Sequence, residues 1–156
     1  MKHSQTDEDR RSVLEAALLA AIIIAIAGAA IWSAMQPLSL DSLKADVGDL
    51  RTSASAGRLL ATQYTDGNVT ETFMRNNAEL IYSQVKSIRK SLDSADPDPD
   101  VVLEHWQARH YALQLEQSMY RMSNDSTGVG IERNKAGELM QQFIDIEQKL
   151  KTHPKE

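Results

Sequence analysis

The chain has 156 residues, a formal net charge of −5 and no cysteine, and these facts exclude several classes of function. Without cysteine, the sequence contains no disulfide, thiolate metal site, catalytic cysteine or lipid-anchor cysteine. An acidic chain lacks the basic surface with which proteins bind nucleic acid, so we expect no nucleic-acid partner. The mean hydropathy is only −0.40, so the apolar residues must be concentrated in part of the chain.

Residues 13–35 form that apolar stretch. About 23 residues of this kind are enough to cross the hydrocarbon core of a lipid bilayer as a helix. Trp32 lies at one end, where an indole ring prefers the membrane interface. Arg10 and Arg11 precede the stretch, and basic residues stay cytoplasmic. We therefore predict a single-pass protein of the cell membrane with residues 1–12 in the cytoplasm and the larger domain outside it, which is the periplasm in a bacterium.

A cleaved signal peptide is the alternative for this segment, because Ala27, Gly28 and Ala29 resemble a cleavage motif. The apolar run, however, exceeds the length of about 7–15 residues usual in signal peptides. We therefore predict an uncleaved signal-anchor helix. Small residues at every fourth position also give it a candidate contact face for another membrane helix, although so alanine-rich a segment can produce such a row by chance. This face consists of Ala17, Ala21, Ala25, Ala29 and Ser33.

Residues 36–151 show the periodicity of amphipathic helices. Four helices are expected, at residues 39–64, 69–91, 99–122 and 131–151. The loops between them are too short to cross the length of a bundle. The pattern predicts an all-α fold in which the transmembrane helix is followed by an antiparallel four-helix bundle. The alternative is a set of elongated, coiled-coil-like helical hairpins completed by dimerisation. Residues 152–156 are expected to form a frayed tail.

Polar residues with capping preferences mark the starts of two of these helices. Asn68 is predicted to cap the second helix, because Glu71 follows it at the spacing of a capping box. Asp98 followed by Pro99 predicts the start of the third helix, since proline is favoured at the first helical position.

The third predicted helix carries two rows of large side chains. The first row alternates by three and four residues and is predicted to face the core: it consists of Leu103, Trp106, His110, Leu113, Gln117 and Tyr120. The second row is expected to widen the buried face: it consists of Ala108, Tyr111, Leu115, Met119 and Met122. Because His110 belongs to the first row and imidazole titrates near neutral pH, His110 is a candidate pH-sensitive core residue.

No constellation of catalytic, cofactor-binding or metal-binding residues is apparent in the sequence. His105 and His110 are five residues apart, whereas two metal ligands on one helix need a spacing of three or four. The acidic loop at residues 93–100 lacks the ligand order of a calcium-binding loop. We therefore predict that the chain is not an enzyme and binds no cofactor.

Two functional hypotheses follow from this pattern. In the first, the anchored bundle is an interaction or structural module of an envelope or membrane assembly, with a protein partner or further copies of itself. In the second, it is a periplasmic ligand-sensing or accessory module, because its predicted layout resembles the periplasmic domains of bacterial chemoreceptors in architecture alone. Those receptors return through a second membrane helix. No second apolar segment follows here, so a sensing module would be expected to work through a separate membrane partner.

Overall fold

The computed structural model describes residues 39–152, which form helices and no β-strand. The helices are α1 at Leu40–Thr65, α2 at Glu71–Ser94, α3 at Val102–Asn124 and α4 at Val129–Thr152. A short 3₁₀ helix, Pro99–Val101, leads into α3. The prediction of an all-α fold with four packed helices is confirmed for these residues, and each predicted helix lies within a few residues of the observed one.

Hydroxyl side chains cap the first two helices. The Ser39 hydroxyl accepts a hydrogen bond from the Ser42 amide at 3.2 Å, and the Thr70 hydroxyl accepts one from the Phe73 amide at the same distance. The prediction that Asn68 caps α2 is therefore wrong. The Asn68 amide instead donates to the Gln63 carbonyl at 2.8 Å, which makes Asn68 part of the turn that ends α1.

The turn between α1 and α2 depends on Gly67, whose φ of 74° lies in the left-handed region that favours glycine.

The start of the third helix follows the prediction more closely. The Asp98 carboxylate accepts a hydrogen bond from the Asp100 amide at 3.3 Å, and Pro99 occupies the first helical position. Because this first turn is 3₁₀, the regular helix α3 begins only at Val102.

Helices that follow one another in the chain run in opposite directions, and α4 returns beside α1. Arg51 of α1 pairs with Glu147 of α4 at 2.9 Å, whereas Arg58, about two turns further along α1, lies beside Gly137, which is earlier in α4. The same reversal relates α2 to α3 and α3 to α4. The four helices of one chain thus enclose a common core. Residues 39–152 therefore do not adopt the alternative arrangement of hairpins completed by dimerisation.

The core is built from one apolar face of each of the four helices. Its fully buried side chains include Leu43, Val47, Leu50, Ala54, Met74, Ala78, Val85, Leu92, Ala108, Ala112, Leu115, Met119, Met122, Ala136, Phe143, Ile146 and Leu150. Gly57 allows α1 to approach α3 closely, because a Cβ atom at this position would lie 2.7 Å from the Met119 methyl carbon.

The prediction for α3 is wrong in one respect: its first row of large side chains faces solvent. Leu103, Trp106, Leu113 and Tyr120 are 59%, 59%, 42% and 53% exposed. His110 is also exposed, so the prediction that it lies in the core is wrong, and its pH response stays a prediction. The second row forms the core face instead. The physical reason is that α3 is apolar on two opposite sides, and periodicity alone does not distinguish them.

The predicted transmembrane helix at residues 13–35 and its candidate contact face from Ala17 to Ser33 lie outside the described residues. Residues 153–156 of the predicted frayed tail also lie outside the described residues, whereas Thr152 is the last residue of α4. Within residues 39–152, none of the helices combines the length and the apolar character needed to cross a bilayer.

Candidate functional site

The outer face of α3 is the first candidate site. We define it as Leu103, Trp106, His110, Leu113, Gln117 and Tyr120, all of which point away from the core. The Trp106 and His110 rings stack with centroids 5.5 Å apart and an angle of 2° between their planes. A contact of 2.8 Å joins His110 Nε2 to the Gln114 side-chain amide. This face therefore presents a continuous strip of mostly apolar and aromatic side chains along one helix.

A chain of ion pairs borders this strip on the side of α2. Arg89 of α2 pairs with both Asp93 and Glu116, and Arg109 of α3 pairs with Asp93. The hydrogen bond from Arg89 to Glu116 is the main reason why the pKa of Arg89 is raised. A cavity of about 220 Å³ lies where this network meets Trp106 and its neighbours on the outer face. The network links α2 to α3, so the strip is presented on a well-supported helix.

A buried carboxylate fixes the other side of α3. Glu132, in the first turn of α4, is almost fully buried. It accepts hydrogen bonds from the Ser118 hydroxyl at 2.5 Å and from the Arg121 guanidinium at 3.1 Å. A buried carboxylate is tolerated only when such donors replace its water shell. These bonds therefore select which side of α3 packs on α4 and, with it, which side faces solvent.

The groove between α1 and α2 is a second apolar surface, with a cavity of about 350 Å³. Leu59, Phe73 and Leu80 line it and are half-exposed or more. Glutamine and asparagine side chains supply its polar groups, and no charged residue lines it. Large apolar residues that lie outside the buried face of their helix are the sequence signal for such a surface, which was not among the predictions from the sequence.

A polar cleft between α1 and α4 has a volume of about 560 Å³. Arg58 and Arg133 line it, together with Thr62, Asn134 and Glu138. Gly137 leaves room for the Arg58 side chain, whose Cδ lies 3.4 Å from the position that a Cβ atom would take. Of the surfaces described here, this cleft has the composition best suited to a small anionic ligand.

His105, and not His110, is the buried histidine of α3. A contact of 2.9 Å joins its Nε2 to the Leu92 carbonyl near the end of α2. It also lies near Asp46, whose pKa is raised mainly by burial and further by Asp49, with His105 opposing the shift.

The histidines and carboxylates of residues 39–152 do not come together as a metal site. No three of these side chains are grouped so that they could hold one ion. His105 and His110 lie on different sides of α3, as their spacing of five residues requires. In comparisons with known proteins, no family model, curated protein or solved structure matches this chain.

Proposed function

We propose that this chain is a membrane-anchored, extracytoplasmic helical bundle that acts as an interaction module of an envelope or membrane assembly. The observation that carries the proposal is the outer face of α3. Its exposed Leu and aromatic side chains amount to about 450 Å² of accessible surface. That is as large as the largest apolar patch on a typical monomer, and patches of this size are often binding sites.

The free energy gained by covering this face is comparable to the cost of binding a protein partner. Covering about 450 Å² of apolar surface contributes about 10 kcal/mol at about 25 cal/mol per Å². The loss of translational and rotational freedom on association costs about 4–15 kcal/mol. The face alone therefore yields a weak complex, and additional polar contacts or a shared membrane are needed to stabilise it.

A membrane anchor shared by both partners would stabilise such a weak complex. In this proposal residues 13–35 span the bilayer as an uncleaved signal anchor, with residues 1–12 in the cytoplasm and the bundle outside. Confinement to one bilayer raises the effective concentration of the partners. The small-residue face from Ala17 to Ser33 adds a second contact, against another membrane helix. The support for this part is the length of the apolar stretch and the position of Arg10 and Arg11.

Site-specific photocrosslinking in native membranes tests the proposal. A photoreactive amino acid replaces Leu103 or Leu113 on the outer face, or Leu80 in the α1–α2 groove. The control position is Gln148, which is exposed on α4 outside both apolar surfaces. We expect protein adducts from the outer face and none from the control. If neither apolar surface yields an adduct with any protein, the interaction function is refuted.

A ligand-sensing role is the second candidate, and the cleft between α1 and α4 favours it. Two arginines line this cleft, and guanidinium groups bind anionic groups well. The test is the thermal unfolding midpoint of the full chain in mild detergent with inorganic phosphate as the probe. Sensing predicts a rise in the midpoint that Arg58→Ala and Arg133→Ala abolish and that Lys90→Ala keeps. A midpoint that does not respond to phosphate would contradict an anion-sensing cleft.

A further inference from the structure

The spacing of the outer face of α3 suits one particular partner. Its residues alternate by three and four positions, which is the heptad pattern of helices that pair in coiled coils. In a complete bundle such a seam normally points inward, but here the core already occupies the opposite side of α3. The exposed seam therefore has the geometry to receive a second helix of the same periodicity.

We propose that the outer face of α3 binds the outer face of α3 in a second copy of this chain, in parallel and in register. The inference rests on the proposed interaction function and deepens it by naming the partner. The dimer forms between complete bundles, so neither core is shared. Two copies that are anchored in one bilayer have their bundles on the same side of the membrane, which is compatible with a two-fold axis between them.

In-register pairing places each residue of the seam beside its own counterpart. Trp106, Leu113 and Tyr120 occupy the equivalent position of successive heptads and form apolar layers. Leu103 begins the other row, in which His110 and Gln117 follow. Each of these two polar side chains then meets an identical group, with which it can exchange a donor and an acceptor. A polar residue on this row commonly specifies register in parallel coiled coils.

The charges beside the seam are compatible with this pairing. In a parallel pair, a residue on one flank faces the residue five positions later on the flank of the partner helix. Arg109 thus faces Gln114 of the second copy, and Glu116 faces Arg121 of the second copy. The first contact joins a cation to an amide, and the second joins opposite charges. No like charges oppose each other along the described part of this seam.

The available area approaches that of a specific dimer interface. About 450 Å² of exposed apolar surface on each copy gives about 900 Å² in total. The polar flanks on both sides raise this value toward the range of about 1,200–2,000 Å² found in stable interfaces. Trp106, a 59% exposed aromatic residue of this seam, belongs to the type that most often dominates binding energy.

Cysteine crosslinking of the full chain tests this inference cleanly, because the native sequence has no cysteine. Leu103→Cys and Leu113→Cys are made separately in mild detergent and in membranes, and a mild oxidant is added. In-register pairing brings each new thiol beside its counterpart, so both variants should form disulfide dimers. Gln148→Cys is the control, since Gln148 is exposed on α4 outside both apolar surfaces.

Equilibrium measurements complete the test. Trp106→Ala should raise the dimer dissociation constant at least tenfold, whereas Leu80→Ala, in the α1–α2 groove, should leave it unchanged. Circular dichroism verifies that both variants fold. A monomeric chain, or crosslinking no better than that of Gln148→Cys, would overturn the inference. So would crosslinking only in a mixture of Leu103→Cys and Tyr120→Cys, which would indicate antiparallel pairing.

These outcomes separate the two proposals. Photocrosslinks from Leu103 to a different protein, combined with no cysteine dimer, would retain the interaction function and overturn the self-pairing of α3. If photocrosslinking and cysteine crosslinking both yield no adduct, both proposals are overturned.

Discussion

Replacing one leucine on each side of α3 tests which face of this helix belongs to the core. Leu115 is fully buried, and Leu113, two positions earlier, is 42% exposed. Each becomes alanine in a separate variant. The two substitutions have the same chemistry in the same helix, so their effects on helix propensity are equal. Any difference in stability therefore reports the difference in burial.

The expected magnitudes follow from that burial. Leucine to alanine removes about three methylene equivalents, which contribute about 2.4 kcal/mol when fully buried. At Leu115 the cavity left behind raises the loss in unfolding free energy to about 3–5 kcal/mol. At Leu113 a little over half of the transfer term applies, and solvent fills the vacated space, so the loss is about 1.4 kcal/mol.

The assay is urea unfolding of the full chain in mild detergent, followed by far-ultraviolet circular dichroism. Thermal unfolding gives a second reading, since 1 kcal/mol corresponds to about 4 °C in a domain of this size. Both variants are measured at several protein concentrations, so that any effect of Leu113 on association is separated from its effect on folding. If Leu113→Ala cost as much as Leu115→Ala at every concentration, the orientation of α3 described here would be incorrect.

Three further predictions concern other parts of the bundle. Gly48→Ala should raise the unfolding free energy by about 0.5–1 kcal/mol, because Gly48 is inside α1 and the new methyl group meets only ordinary contacts. Gly57→Val should lower the unfolding free energy by about 1–3 kcal/mol, because the larger side chain crowds the core near Met119. Urea unfolding checks both, and equal effects at the two glycines would contradict the close approach at Gly57. Ser118→Ala should lower the unfolding free energy by about 1–3 kcal/mol, because buried Glu132 loses a donor. An unchanged urea midpoint would show that water or a rearranged side chain replaces the hydroxyl. Asp46→Asn should be stabilising at pH 7: burial raises the pKa of this carboxyl in the folded chain, so its ionised form is disfavoured there. That advantage should shrink as the pH falls through the raised pKa and should vanish below the ordinary value of 3.8. Unfolding measured across this pH range gives the sign, and an advantage that grew toward acid pH would refute it.

Helices with a single apolar face could be assigned from the sequence. In α1, Leu43, Val47 and Leu50 recur at spacings of three and four, and the intervening residues are mostly polar, so only one orientation buries them. The same holds for α2 and α4. Short connections then restrict consecutive helices to antiparallel neighbours. Element order, fold class and most of the core are therefore consequences of local pattern and chain length.

The candidate site could not be assigned in this way, because α3 has two apolar faces. Heptad spacing favoured the side of Leu103 and Trp106, which carries the larger side chains. In the folded bundle the opposite side is buried, where Ala108 and Ala112 are small enough to let neighbouring helices approach.

Polar contacts add a second reason for this orientation. Ser118 lies toward α4, where it donates to Glu132, and His105 lies toward α2, where it contacts the Leu92 carbonyl. Rotating α3 by about half a turn about its axis would bury the outer face. It would also leave Glu132 and the Leu92 carbonyl without these partners, at a cost of several kcal/mol.

The groove between α1 and α2 also depends on tertiary structure. Leu59 and Leu80 are far apart in the chain and fall off the seams of their own helices. Whether they meet in one surface is decided by the rotation and separation of the two helices, which follow from packing over the whole core. The sequence by itself thus determined which segments are helical and that they form a bundle. Only the tertiary structure decided which apolar side chains remain in contact with solvent, because that choice depends on side-chain volume and buried hydrogen bonds contributed by all four helices.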